Sequence, residues 1–143
     1  MQPPAADGAG RHAAASQLSH WPVQLALVPP NAPFLQDADL LLVADCVPFA
    51  LADFHSRLLA GRPVVVGCPK LDDPQSYIEK LRAMFEQSSI RSLTIVHMEV
   101  PCCTGLCHIA QTALGTSGRD VPVREVTVSV DGRVIAENEI QLV

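Results

Sequence analysis

Residues 39–46 read "DLLLVADC", and the fold turns on this stretch. Leu40, Leu41, Leu42, Val43 and Ala44 follow one another with no polar residue between them. An amphipathic strand would alternate, so a strand here is buried on both faces. Such strands belong to parallel sheets with helices on either side. Downstream, "PVVVGC" (63–68) and "SLTIVHM" (92–98) repeat the pattern. Between them, "LDDPQSYIEKLRAMFEQSS" (71–89) has a helical period. Asp73 is a natural N-cap, Pro74 suits the first helical position, and Ile78, Leu81 and Phe85 form an apolar stripe flanked by Tyr77 and Met84.

Working outward, "VPFALADFHSRLLAGR" (47–62) predicts a helix with Phe49, Ala50, Phe54, Leu58 and Leu59 on one face and Gly61 as its stop. Val23 to Val28 predict a first strand, closed by Pro29 and Pro30, and "APFLQDA" (32–38) is at most a short helix. Residues 104–117 predict a third full helix, ended by Gly118. The stretch "REVTVSVDGRVIAENEIQL" (124–142) predicts two strands joined at Asp131–Gly132, a hairpin signal, adding antiparallel strands at one edge. The expected fold is a three-layer α/β domain: a mostly parallel, Rossmann-like sheet flanked by helices, with a C-terminal β-hairpin at one edge. Residues 1–17, rich in Ala, Gly, Pro and Gln without an apolar period, are read as a disordered tail or linker, and residues 18–143 as a single domain.

Composition narrows the function. The 143 residues carry a net charge of −5, a mean hydropathy of +0.23 and only 17% charged residues. No basic stripe or aromatic platform suggests a nucleic-acid partner. No apolar run approaches the roughly 20 residues of a membrane span, and the N-terminus lacks the charged-then-apolar order of a signal peptide. A cytoplasmic protein with reduced thiols is the expectation.

The five cysteines are then better read as ligands or redox groups than as a disulfide framework. Cys46 ends one expected strand and Cys68 the next, while Cys102 and Cys103 follow the strand "SLTIVHM". In a parallel sheet these ends share one edge, where open α/β sheets bind ligands. Loops leaving neighbouring strands start about 5 Å apart, close enough for thiolates to share a small metal centre. Each thiol has a proline within two positions ("CVP", "CP", "PCC"), and proline beside cysteine occurs around iron–sulfur clusters. Buried filler is the bland alternative, since free cysteine is among the most buried residue types. The spacing has no CxxC pair and does not name the metal. Cys107, about one turn into the expected third helix, is a further ligand candidate or a packing residue. His97, near a strand end, is a hydrogen-bonded core histidine or an additional ligand of a mixed Cys/His zinc site. Asp45, Glu99 and Lys70 flank the thiols in expected structural roles, Asp45 bonding to loop amides, Glu99 capping a loop and Lys70 offsetting thiolate charge, and His55 is expected on a solvated face.

The stretches "WPVQLALVPPNAPFLQDADLLLVADCVPFALADFH", "GRPVVVGCPKLDD" and "VHMEVPCCTGL" closely resemble an uncharacterised family of bacterial and archaeal proteins described as iron–sulfur-binding or ferredoxin-like. The likeness runs from about Gln17 to the C-terminal hairpin. Typical members are similar to a fusion, with a two-cluster ferredoxin module ahead of the α/β domain. The first 16 residues here hold no cysteine. The resemblance implies Cys46, Cys68, Cys102 and Cys103 as ligands and leaves Cys107 outside the pattern. It implies an iron–sulfur cluster, most simply 4Fe-4S, in an electron-transfer or redox-sensing domain served by a redox partner such as a separate ferredoxin. Zinc held by the same four thiolates and a metal-free thiol–disulfide protein are the alternatives. A homo-oligomer is compatible with the sequence, and no residue pattern supports turnover of an organic substrate.

Overall fold

The structure, a computed structural model, describes residues 14–140, the side chains of positions 102 and 103 excepted. Five strands form one sheet: β1 (Asp39–Ala44), β2 (Val64–Gly67), β3 (Ser92–Met98), β4 (Val123–Val128) and β5 (Val134–Ile140). Their spatial order is β2-β1-β3-β4-β5. β1 pairs in parallel with β2 and β3, β3 in parallel with β4, and only β5 is antiparallel. The hairpin therefore contributes one antiparallel strand, not two, because β4 first completes a parallel pairing with β3. The doubly apolar run reads out as expected: Leu40 to Val43 are fully buried and Ala44 nearly so.

The helices are α1 (Val47–Ala50), α2 (Pro74–Gln87) and α3 (Pro101–Ser117). Asp73 caps α2 by accepting from the Gln75 amide (3.2 Å). Tyr77, Leu81, Met84 and Phe85 form its buried stripe, while Ile78 is only partly buried. Gly118, left-handed at φ 77°, ends α3. α2 packs against α3 on one face of the sheet. Right-handed crossovers place the segment between β1 and β2 on the opposite face. The register agrees: Cys107 of α3 touches Glu125, whereas Arg57 from the other layer pairs with Glu137, which stands opposite Val126 and so faces the other way.

Three expectations are corrected. The stretch Val23–Val28 is no strand but a single parallel bridge from Gln24 to Val66, after which the amides of Leu27 and Val28 both turn back to the Gln24 carbonyl. Leu25 and Val28 are buried and Leu27 is exposed, a turn spacing rather than an alternation. The expected helix over 47–61 is broken. Leu51 adopts extended backbone (φ −98°, ψ 107°) and enters the core, Phe49 is 91% exposed, and a π-helical turn (His55–Leu59) re-phases Phe54, Leu58 and Leu59 onto the core. Gly61 does stop the segment, at φ 78°. Finally, α3 starts at Pro101, not at 104, since proline is pre-set for the first helical position.

Of the expected tail, residues 1–13 lie outside the described residues. Residues 14–17 form no helix or strand, and the Gln17 amide donates to Nδ1 of the exposed His55 (3.0 Å). No helix among the described residues is long and apolar enough to cross a membrane.

Candidate metal centre

The order 2-1-3-4 places a topological switch point between β1 and β3. From β1 the chain moves to one side, and from β3 to the other. Open α/β sheets bind ligands in the crevice outside the carboxyl ends at this point. Cys46 stands two residues beyond β1, at the N-cap of α1, and Cys68 directly follows β2. Positions 102 and 103 fall in the first turn of α3, just beyond β3, rather than in a free loop. Four cysteine positions thus stand at the ends of three adjacent strands, a span of about 10 Å at the usual strand spacing. Cys46 is exposed, Cys68 half-buried, and both are free thiols.

Small residues let these segments approach. Gly105 carries no side chain, and a β-carbon there would lie 3.6 Å from the ring of Pro69, next to Cys68. The start of α3 therefore abuts the Cys68 turn. That turn is also held from α2. A β-carbon on Gly67 would fall 2.6 Å from the Tyr77 hydroxyl, so only glycine admits the phenol. The hydroxyl accepts from the Cys68 amide (3.1 Å) and donates to the Asp72 carboxylate. Burial, then the hydrogen bond to Asp72, push the phenol well above its ordinary value. The amides of Leu71 and Asp72 close on the Cys68 carbonyl. From the hairpin, Gly132 (φ 90°) lies against α1, where a β-carbon would be 2.6 Å from the Ala50 carbonyl oxygen. Glu99, expected as a loop cap, accepts from the Val130 amide (2.8 Å).

Asp45 departs from its expected bond to loop amides. Its Oδ1 is buried without a hydrogen-bond partner among the described residues. Burial, and then the nearby Asp72 carboxylate, raise its carboxyl above the ordinary value. A buried acceptor without a donor, beside a second carboxylate, favours a positive charge at this edge.

The two additional candidates lie elsewhere. His97 on β3 and Cys107 on α3 meet Glu125 of β4. Glu125 was not visible as a partner in the sequence, because it reaches His97 only through the β3–β4 register, which aligns Ile95 with Glu125. The available signal was a carboxylate inside the β-branched run "VREVTVSV". A cavity of about 670 Å³, lined among others by Arg62, Asp120, Arg124 and Glu139, opens at the amino ends of the strands, away from all the cysteines.

This is a doubly wound α/β protein in which four of the five cysteine positions follow the carboxyl ends of adjacent strands. The chain belongs to a family of Rossmann-like domains, which matches residues 32–143. It is similar to a protein of Archaeoglobus fulgidus described as uncharacterized, with 32% identity over 118 residues, 82% of this chain and 83% of that protein. No solved structure matches the chain.

Proposed function

We propose that the chain is a redox domain that holds an iron–sulfur cluster, of the 4Fe-4S type, on Cys46, Cys68, Cys102 and Cys103. One observation carries the reading: four cysteine positions end three adjacent strands around the switch point between β1 and β3. The donor set fits the group, since iron–sulfur clusters are held by cysteine thiolates. When bound, the cluster supplies one-electron transfer. The chain's own residues set the frame. Tyr77 and Asp72 fix the Cys68 turn. The amino end of the 17-residue α3 brings its partial positive charge to positions 102 and 103, which favours thiolates. Phe49 and Leu71, both exposed and close in sequence to Cys46 and Cys68, offer an apolar rim to an electron-carrying partner such as a ferredoxin.

Anaerobic purification followed by iron, sulfide and zinc analysis and a visible spectrum tests the reading. About four iron and four sulfide per chain are expected, lost in Cys102→Ser and kept in Cys107→Ser. Colourless protein holding zinc lost in Cys102→Ser would make the edge a four-cysteine zinc site instead. Failure to retain any metal at these four positions after anaerobic reconstitution would overturn both.

A further inference from the structure

We propose that His97, Cys107 and Glu125 form a second metal site, distinct from the cysteine-bearing edge, which takes up a zinc ion in exchange for two protons. Nε2 of His97, Sγ of Cys107 and a Glu125 oxygen all lie within 4.8 Å of one another, each offered by a different element of the fold. Nitrogen, sulfur and oxygen donors in this number are those of zinc sites with three protein ligands and one open position.

The hydrogen bonds show what occupies the cluster before an ion does. Nδ1 of His97 lies 2.8 Å from the Met98 carbonyl oxygen. A carbonyl only accepts, so Nδ1 carries a proton and points Nε2 at Glu125, the orientation that a backbone carbonyl imposes on metal-binding histidines. Nε2 stands 2.5 Å from Glu125 Oε2, and the Cys107 thiol donates to the same oxygen (3.1 Å). Burial alone would raise the Glu125 carboxyl. The hydrogen bonds from His97 and Cys107 outweigh it and hold the group below the usual carboxylate range, so it is ionised at neutral pH. Two acceptors cannot face each other at this distance, so one proton lies between Nε2 and the Glu125 oxygen. Burial, and then Glu125, keep the Cys107 thiol protonated.

The cluster therefore holds one proton between His97 and Glu125 and a neutral thiol, and its charges sum to zero. Zinc would displace the proton between Nε2 and Glu125 and the one on Sγ. The ion, a neutral imidazole, a thiolate and the carboxylate again sum to zero. The exchange needs no change of net charge inside the protein, which removes the main cost of placing a divalent ion there. His97 is 3% exposed, but the Glu125 side chain is 28% exposed and gives the ion an approach. Tetrahedral zinc separates its ligand atoms by about 3.3–3.7 Å, so the Nε2–Oε2 pair, at 2.5 Å, must open by about 1 Å to admit the ion.

The test uses the full chain with Cys46, Cys68, Cys102 and Cys103 all changed to Ser, which removes the edge site whether or not it binds a cluster. Titration calorimetry with zinc chloride at pH 7, in buffers of different ionisation enthalpy, should give one zinc per chain and about two protons released. Adding Cys107→Ser or His97→Gln should weaken binding at least tenfold. Absence of binding by the folded fourfold variant, or binding that both added changes leave intact, would overturn the proposal. If the fourfold variant does not fold, the unmodified chain decides. Zinc should protect Cys107 from iodoacetamide, read by peptide mass spectrometry, and His97→Gln should abolish the protection. Equal alkylation with and without zinc would overturn it.

Discussion

The hydroxyl of Tyr77 holds the backbone of Cys68, accepting from its amide at 3.1 Å while donating to Asp72. A residue of α2 thereby fixes a turn at the end of β2. Tyr77→Phe keeps the ring but strands a buried donor and removes the partner of Asp72. Urea unfolding should show a loss of about 1–3 kcal/mol. The same change should loosen any metal bound at Cys68, seen as faster loss to a chelator than from the unmodified protein.

Gly132 combines a left-handed backbone with direct approach to the Ala50 carbonyl oxygen. Gly132→Ala therefore meets strain and a clash together. A loss of about 1–3 kcal/mol is expected in urea unfolding. Hydrogen exchange should speed up over residues 46–51, far from the substitution in sequence, and an unchanged rate there would separate the hairpin from α1.

Arg119 donates to three carbonyl oxygens at the end of α2 and just beyond, those of Phe85, Ser88 and Ile90, at 2.8 to 3.0 Å. It acts as a C-terminal cap supplied from another element. Arg119→Ala should cost about 1–2 kcal/mol, reduced from the buried value because the residue is exposed. Arg119→Lys should recover little of it, since a single ammonium cannot reproduce the planar fork.

Asp39 accepts from the Ser92 hydroxyl (2.7 Å) and from Arg91 (2.8 Å), and these bonds hold its carboxyl below the ordinary value. A depressed carboxyl contributes stability above its unfolded value of about 3.9 and loses it as pH falls through the lower folded value. The stability gap between the unmodified chain and Asp39→Asn should therefore be present at neutral pH and close as pH falls below the unfolded value and through the lower folded one. Because the pair is partly exposed, salt should also narrow the gap at neutral pH.

The parallel sheet was legible because Leu40 to Ala44 leave no face for water, and the α2 cap because Asp73–Pro74 is local chemistry. The break after Ala50 was not. Phe49 and Leu51 are both apolar, and only the space beneath α1 decides that Leu51 enters the core. The edge cysteines were readable as strand ends, since that needs only strand positions. Glu125 was hidden because its partners are set by register across 28 residues to His97 and by a helix packed above both. Tyr77 could be seen on the apolar stripe, but its bond to Cys68 depends on the missing side chain of Gly67, a relation between two elements.

The contact of Gly132 with Ala50 also sets an order of events during synthesis. The hairpin that braces α1 is made 82 residues after it, counting from residue 50 to residue 132. At about 5–20 residues per second the ribosome needs roughly 4–16 s to deliver that brace. Through this interval Cys46 has emerged without the turn that buttresses its helix. The helix that follows Cys46 thus gains its brace only once the turn between β4 and β5 has been made.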